Sequence, residues 1–134
     1  PQEKASQVAK EMYSGNNNFT SDIVNSYAWD TAIVFIQNFS GDADYSIQPG
    51  KSTTGEWAET GENRLASDRQ VDVRCNIYDM AGNLWEWSSE TSINEGKPCT
   101  SRGGGFNSEN TPLYRGSYSL NYEQSGGFRT ILYL

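Results

Sequence analysis

The side chains that most often carry nucleophilic chemistry are scarce in this chain of 134 residues. It contains no histidine and two cysteines, Cys75 and Cys99. Ser–His and Cys–His pairs are therefore excluded, because each needs an imidazole base beside the nucleophile. Acid–base catalysis by two carboxylates stays open, although their spacing does not favour it. The carboxylates concerned are Asp79, Glu86, Glu109 and Glu123. We expect no catalytic residues and no enzyme.

Charge and hydropathy argue against two classes of partner. The net charge is −7, and the ten Lys and Arg residues are scattered rather than grouped in a stripe, which argues against a nucleic-acid partner. The longest mostly apolar stretch, residues 32–36, is far too short to cross a bilayer, so we expect no direct membrane insertion. The opening residues PQEKASQ resemble the approach to a helix, as in a processed or N-terminally truncated form of a longer chain.

Two amphipathic stretches predict the helices that must support any site. The first is residues 3–13, EKASQVAKEMY, whose apolar side chains recur at helical spacing. The second is residues 21–39, SDIVNSYAWDTAIVFIQNF, with Ser21 or Asp22 as the expected N-cap. Apolar residues nearly encircle the later half of this stretch, so we expect that half to lie largely in the core.

Short strands are predicted after a polar surface excursion over residues 40–70, which Trp57 anchors. Val71 and Val73 alternate with polar residues as in a half-buried strand, and the chain turns at 79–83. Three further strands are expected in LWEWSSE, in CTSRGGGF, which its glycines close, and in GGFRTILYL. Helices followed by short strands and long loops indicate one α+β domain over residues 1–134.

Structural roles explain why the AGN turn and the two tryptophans after it have these residue types. Gly82 tolerates a positive φ and Asn83 is the next best residue for one, so AGN predicts a tight turn. Trp85 and Trp87 are expected to fill the core, each burying on the order of 200 Å².

Two arginines are expected to fasten the ends of the following loop. Arg102 precedes three glycines that let backbones approach closely, and Arg129 follows two more. Either arginine could form an ion pair with Glu86 or Asp79. The two cysteines could pair or remain free, and they do not fix the compartment.

Between these glycine clusters lies a run rich in Tyr, Ser and Asn. This is the composition of antibody paratopes, where Tyr gives rigid contact area and Ser, Gly and Asn adapt their hydrogen bonds. In an extended run Tyr114, Tyr118 and Tyr122 would share one side with Leu120. The alternative is an ordinary polar loop whose tyrosines cover the core.

Three motifs, in order, resemble the sulfatase-modifying factor family, whose founding member is the formylglycine-generating enzyme. They are NIYDMAGNLWEWSSE, SRGGGFN and the closing GGFR. The resemblance is good over residues 76–129, weak over 22–36, where the family carries an acidic residue beside a Trp, and absent between them. It implies a C-type-lectin-like fold with two helices, short antiparallel strands and long loops.

The chemistry of the oxidising members is not carried over. The resemblance implies a copper-binding cysteine pair between RGG and GFR, but residues 106–127 contain no cysteine. Its non-haem iron branch needs histidine, which this chain lacks. The resemblance also implies a structural calcium site, which would map to Asp79, Gly82, Leu84 and Glu86. The alternative is that Asp79 and Glu86 pair with Arg102 or Arg129. Structural calcium is therefore the one cofactor that the resemblance leaves open.

The remaining branch resembles the variable proteins of diversity-generating retroelements. In these, adenine-directed mutagenesis rewrites codons between a fixed RGG and a fixed GFR, here residues 106–126, and Glu109, Glu123 and Gln124 would be untargeted positions. The candidate ligand-binding residues are Phe106, Asn107, Ser108, Asn110, Tyr114, Gly116, Ser117, Tyr118, Leu120, Asn121, Tyr122 and Ser125.

The resemblance implies a non-catalytic bacterial or phage protein that binds a protein or glycan on another cell or particle. Display on a cell surface or phage particle would suit that role. Two alternatives stay open: a divergent oxidoreductase of the formylglycine-generating type, and a structural subunit of a phage tail or surface assembly.

Overall fold

A computed structural model describes residues 1–48, 72–105, 108, 110–123 and 126–134. Trp57, Val71, Phe106, Asn107, Glu109, Gln124 and Ser125 lie outside the described residues. The helices are α1 (Gln2–Glu11) and α2 (Ser26–Phe39), with a 3₁₀ turn at Tyr45–Ile47. The strands are β1 (Thr20–Ile23), β2 (Val73–Arg74), β3 (Ile77–Tyr78), β4 (Glu86–Thr91), β5 (Cys99–Arg102), β6 (Arg115–Tyr118), β7 (Gly127–Phe128) and β8 (Thr130–Tyr133). The predicted α+β class is confirmed.

Within the described residues, the strands form three small sheets. The largest has the order β6-β5-β4-β7, in which β5 pairs antiparallel with both neighbours and β7 runs parallel to β4. β1 pairs with β8, which joins the start of the chain to its end. β2 and β3 form a hairpin whose two turn residues, Cys75 and Asn76, both have positive φ, as a type I′ turn requires. Cys75 and Cys99 are both free thiols.

The predicted N-cap of α2 was wrong. Ser21 and Asp22 belong to β1, and Asn25 caps the helix instead, its side-chain oxygen accepting a hydrogen bond from the Ala28 amide at 2.8 Å. A short strand therefore precedes the helix, and the cap stands three residues later than Asp22.

The expected burial of the later half of α2 was also wrong. Its buried side chains are Trp29, Ile33 and Ile36, whereas Val34 is 55% exposed and Phe39 71%. Residues at i, i+4 and i+7 form one stripe on a helix, and one stripe is all that this helix turns toward the core. Tyr27 and Phe35 are exposed as well, while Ala28 and Ala32 are partly buried against the same cluster.

In the part of the chain that the structure describes, two buried clusters connect the helices to the strands. One joins α2 to the turn before β4 through Trp29, Ile33, Ile36 and Met80. The other packs α1 against the largest sheet through Ala5, Ala9, Ile23, Trp87 and Cys99. Trp87 fills the core as predicted, while Trp85 is half-buried, and a Cβ on Gly105 would lie 3.2 Å from its ring.

Close backbone packing explains the glycines after Arg102. Gly103 has φ +75°, and a Cβ there would lie 2.2 Å from the Met80 carbonyl oxygen and 3.1 Å from Trp29. The neighbouring turn differs from its prediction, because Asn83 and Asp79 take positive φ and Gly82 does not.

Gly103→Ala should destabilise the fold far more than Gly96→Ala. Both glycines have positive φ, but a Cβ on Gly96 would meet nothing within 4 Å. Gly96→Ala should cost only the left-handed penalty, about 1 kcal/mol, whereas Gly103→Ala adds a backbone clash and should cost more than about 3 kcal/mol of unfolding free energy. Urea unfolding measures both, and equal losses would contradict the close contact with Met80.

Candidate functional site

Trp29 of α2 lies beneath both ends of the tyrosine-rich segment. Its ring is 1% exposed, and its indole N–H donates a 2.8 Å hydrogen bond to the Pro112 carbonyl. The guanidinium groups of Arg102 and Arg129 lie 5.6 and 5.1 Å from the ring centroid, within cation–π range. One side chain therefore contacts the residues that open and close the segment.

Four charged side chains form what we call the arginine ring: Asp30, Glu90, Arg102 and Arg115. Arg102 and Arg115 stand directly opposite each other on β5 and β6, an arrangement that is destabilising when uncompensated. Each carboxylate bridges both arginines. Glu90 accepts from each at 2.8 Å, and Asp30 accepts from Arg115 at 3.0 Å and also from Arg102.

Burial makes this compensation necessary. The Arg102 side chain is fully buried, while Arg115 is 42% exposed. A buried guanidinium needs paired carboxylates to offset its desolvation. The predicted partners of Arg102, Glu86 and Asp79, were wrong: Glu86 is held by Arg129.

Arg129 forms the predicted pair with Glu86. Its Nε and Nη2 reach the two carboxylate oxygens at 2.5 and 2.7 Å, in the two-point geometry that suits a guanidinium. Nη2 also donates to the Tyr78 carbonyl at 3.0 Å. This arginine therefore fixes the β7–β8 junction to both β3 and β4.

Asp79 lies beside this pair in an acidic environment. Burial, followed by the charges of Asp72 and Glu86, raises its pKa to about 7, against an opposing effect of Arg129. Asp72 itself accepts hydrogen bonds from the Tyr45 hydroxyl at 2.8 Å and from the Ala81 amide at 3.1 Å.

The arrangement of the residues considered for calcium does not favour a bound cation. Both carboxylate oxygens of Glu86 accept from Arg129, and the raised pKa of Asp79 disfavours the ionised form that would bind calcium. Within the described ranges, no group of three or more acidic, Cys or His side chains could hold a metal ion. Calcium at Asp79, Gly82, Leu84 and Glu86 stays a prediction.

An aromatic stack rises from the core into the segment. The Tyr118 ring contacts Trp87 edge-on at 5.5 Å and stacks on Tyr122 at 4.5 Å. The Tyr118 ring also lies across Gly116, where a Cβ would be 2.7 Å from it. Gly116, a candidate contact residue, is buried, and what it provides is space for this ring.

The segment is only partly extended, so its candidate residues do not share one face. β6 ends at Tyr118, and a turn follows in which the Tyr122 amide donates to the Ser119 carbonyl at 3.1 Å. Strand alternation puts Ser117 on the face opposite Tyr118. There its hydroxyl bonds to Ser92 and Asn94 at 2.8 and 2.7 Å.

The outer candidates form an open rim. Tyr114 is 39% exposed, Tyr122 42% and Leu120 68%, and Asn121 is exposed beside them. Leu113, which is not among the candidates, is also exposed. We call these five residues the rim.

Two further candidates lie at the start of the segment. Asn110 is half-buried, and the Ser108 hydroxyl accepts from the Gly105 amide at 2.9 Å.

Three members of the arginine ring had no assigned role in the sequence. Asp30 stands beside Trp29, and this matches the acidic residue beside a Trp that the resembled family carries. That match was the one signal in the sequence that could have pointed to Asp30. Glu90 and Arg115 carry no local motif, because their role comes from strand pairing that joins residues far apart in the chain.

Comparisons with family models, with curated proteins and with solved structures give no match. Among the described residues, no helix is long and apolar enough to cross a membrane.

Glu90→Gln should destabilise the fold, because Arg102 and Arg115 would then share one carboxylate. Since Glu90 is partly exposed, we expect about 2 kcal/mol, below the 3–5 kcal/mol typical of a fully buried pair. Glu95→Gln, at an exposed position of the next loop, is the matched control and should change the unfolding free energy by less than about 0.5 kcal/mol. Equal effects in urea unfolding would contradict the ring.

Asp79 should make the protein less stable as pH rises from about 4 to about 7. Its pKa is higher in the folded state than the ordinary value, so the folded state binds more protons in this window and the unfolding free energy falls as they leave. Asp79→Asn should remove this fall, so its stability relative to wild type should increase across the window. Asp44→Asn, at an exposed site, is the control for removing one carboxylate from the chain. A pH-independent difference for Asp79→Asn would contradict the assignment.

Proposed function

We propose that this chain is a non-catalytic ligand-binding domain with a C-type-lectin-like fold, similar to the variable proteins of diversity-generating retroelements. In this proposal residues 106–126 form a hypervariable surface that contacts a protein or glycan target. Recognition rests on shape and hydrogen-bond complementarity, and no bond in the ligand is made or broken.

The observation that carries this proposal is an exposed rim on a fixed base. By the base we mean β6 together with the arginine ring and the Tyr118 stack that hold it in place. Leu113, Tyr114 and Leu120 are exposed, while the strand between them is fastened by Arg115 and by the Tyr118 stack. A surface that is ordered before binding loses less conformational entropy on binding, so more of the contact energy becomes affinity.

The charges at the base support a binding role rather than acid–base chemistry. Asp30, Glu90 and Arg115 are engaged with one another and with buried Arg102. A general acid or base must be free to exchange a proton with a substrate. The rim itself offers phenol, amide and aliphatic groups, which suit contact.

The encoding DNA tests the proposal. A near-identical template repeat should stand beside a reverse transcriptase gene and differ from codons 106–126 only at adenines. The rim codons of Tyr114 and Leu120 should vary between isolates. The codons of Arg115 and Gly116 should stay constant, because these residues hold the base.

The absence of such a repeat, or variation at Arg115 as frequent as at Tyr114, would contradict the proposal. One equivalent of tightly bound copper or iron together with oxidase turnover would favour the formylglycine-generating alternative instead.

A further inference from the structure

β6 is the last strand of its sheet. The order β6-β5-β4-β7 gives it one partner, β5, in the part of the chain that the structure describes. An outer strand presents backbone N–H and C=O groups with no partner in the sheet, and these can pair with another chain.

The register identifies which groups face outward. The Gly103 amide donates to the Tyr114 carbonyl at 3.2 Å, and Arg102 stands opposite Arg115. In an antiparallel pair this makes Gly116 and Tyr118 the residues that bond to β5. The N–H and C=O groups of Arg115 and Ser117 therefore point away from the sheet, and no described loop bonds to them.

The side chains of β6 that could block such an edge do not cover it. The Arg115 guanidinium is drawn onto the sheet face by Asp30 and Glu90, and Gly116 has no side chain. The Ser117 hydroxyl bonds to Ser92 and Asn94 on that same face. Neither proline nor lysine occurs within β6, although both commonly protect edges.

We propose that β6 accepts an extended polypeptide segment as an additional strand beside Arg115–Tyr118. This inference rests on the proposed function and narrows its ligand from protein or glycan to protein. The reason is the backbone edge: an extended peptide repeats donors and acceptors at strand spacing, so it can pair with both outward residues at once. The hydroxyl groups of a glycan do not follow this repeat.

The two faces of the sheet beside this edge determine which kinds of side chain the added strand should carry. Alternate residues would meet Tyr114 and Tyr118 on one face and Ser117 with Asn94 on the other. The segment should therefore alternate apolar and polar residues. Because the chain carries a net charge of −7, the segment should be neutral or basic. The same charge opposes pairing with a second copy of β6.

Displayed peptides test the mode of binding. Random heptapeptides on phage are selected against the wild-type protein, and the most enriched sequence is synthesised in three forms: unmodified, and N-methylated on alternate amides in each of the two registers. Methylation of the amides that face β6 should weaken binding at least tenfold, while methylation in the other register, which leaves those donors intact, should change it less than twofold.

A protein variant supplies the matched comparison. Ser117→Pro removes the outward N–H without taking a bond from β5, which an edge strand tolerates, and should weaken peptide binding at least tenfold. Ser117→Ala keeps the N–H and loses only the hydroxyl, so it should weaken peptide binding much less than Ser117→Pro does. Circular dichroism confirms that the variants fold, and the methylated peptides test the wild-type chain independently.

The outcomes separate this inference from the proposed function. Peptides that lose binding to Tyr114→Ala but ignore both Ser117→Pro and methylation would overturn strand addition and leave the rim as the binding surface. Binding indifferent to every one of these changes would overturn both. No enriched peptide at all would overturn the peptide ligand alone, because a glycan target would still satisfy the proposed function. A wild-type dimer that Ser117→Pro dissociates would assign the edge to a second copy and overturn the peptide partner.

Discussion

Two arginines directly opposite each other on neighbouring strands set the main constraint on this structure. Arg102 is fully buried, so its charge cannot be relieved by water, and Arg115 adds a like charge beside it. Asp30 from α2 and Glu90 from β4 each bridge both arginines. These ion pairs therefore hold α2 against the largest sheet. The tyrosine-rich segment enters β6 at Arg115, which belongs to the same network.

The rest of the base depends on close packing around this charge network. Trp29 lies against Arg102 and Arg129, and Gly103 lets the Met80 carbonyl approach where a side chain would collide. Farther along β6, the Tyr118 ring crosses Gly116 and joins Trp87 to Tyr122. Tyrosine thus has two roles in one segment: Tyr118 fastens the surface to the core, and Tyr114 is available for contact.

Patterns in the sequence predicted those features of the fold that depend on residues close together in the chain. The α+β class, α1, β5 and the burial of Trp87 follow from periodicity and glycine placement, and they are confirmed. The Arg129–Glu86 pair was also predicted, whereas Arg102 was given the wrong partners because its pairing with Glu90 depends on strand register. The predicted burial of the later half of α2 was wrong, because the hydropathy of a helix does not say which of its stripes faces the core. The C-type-lectin-like fold and the binding role stay predictions.

Amide hydrogen exchange of β6, followed residue by residue, tests the central claim that a fixed base carries an open edge. The account predicts slow exchange at Gly116 and Tyr118, whose amides bond to β5, and fast exchange at Arg115 and Ser117, whose amides face outward. Uniformly fast exchange would contradict the fixed base. Uniformly slow exchange in the isolated monomer would show that another part of the chain covers the edge.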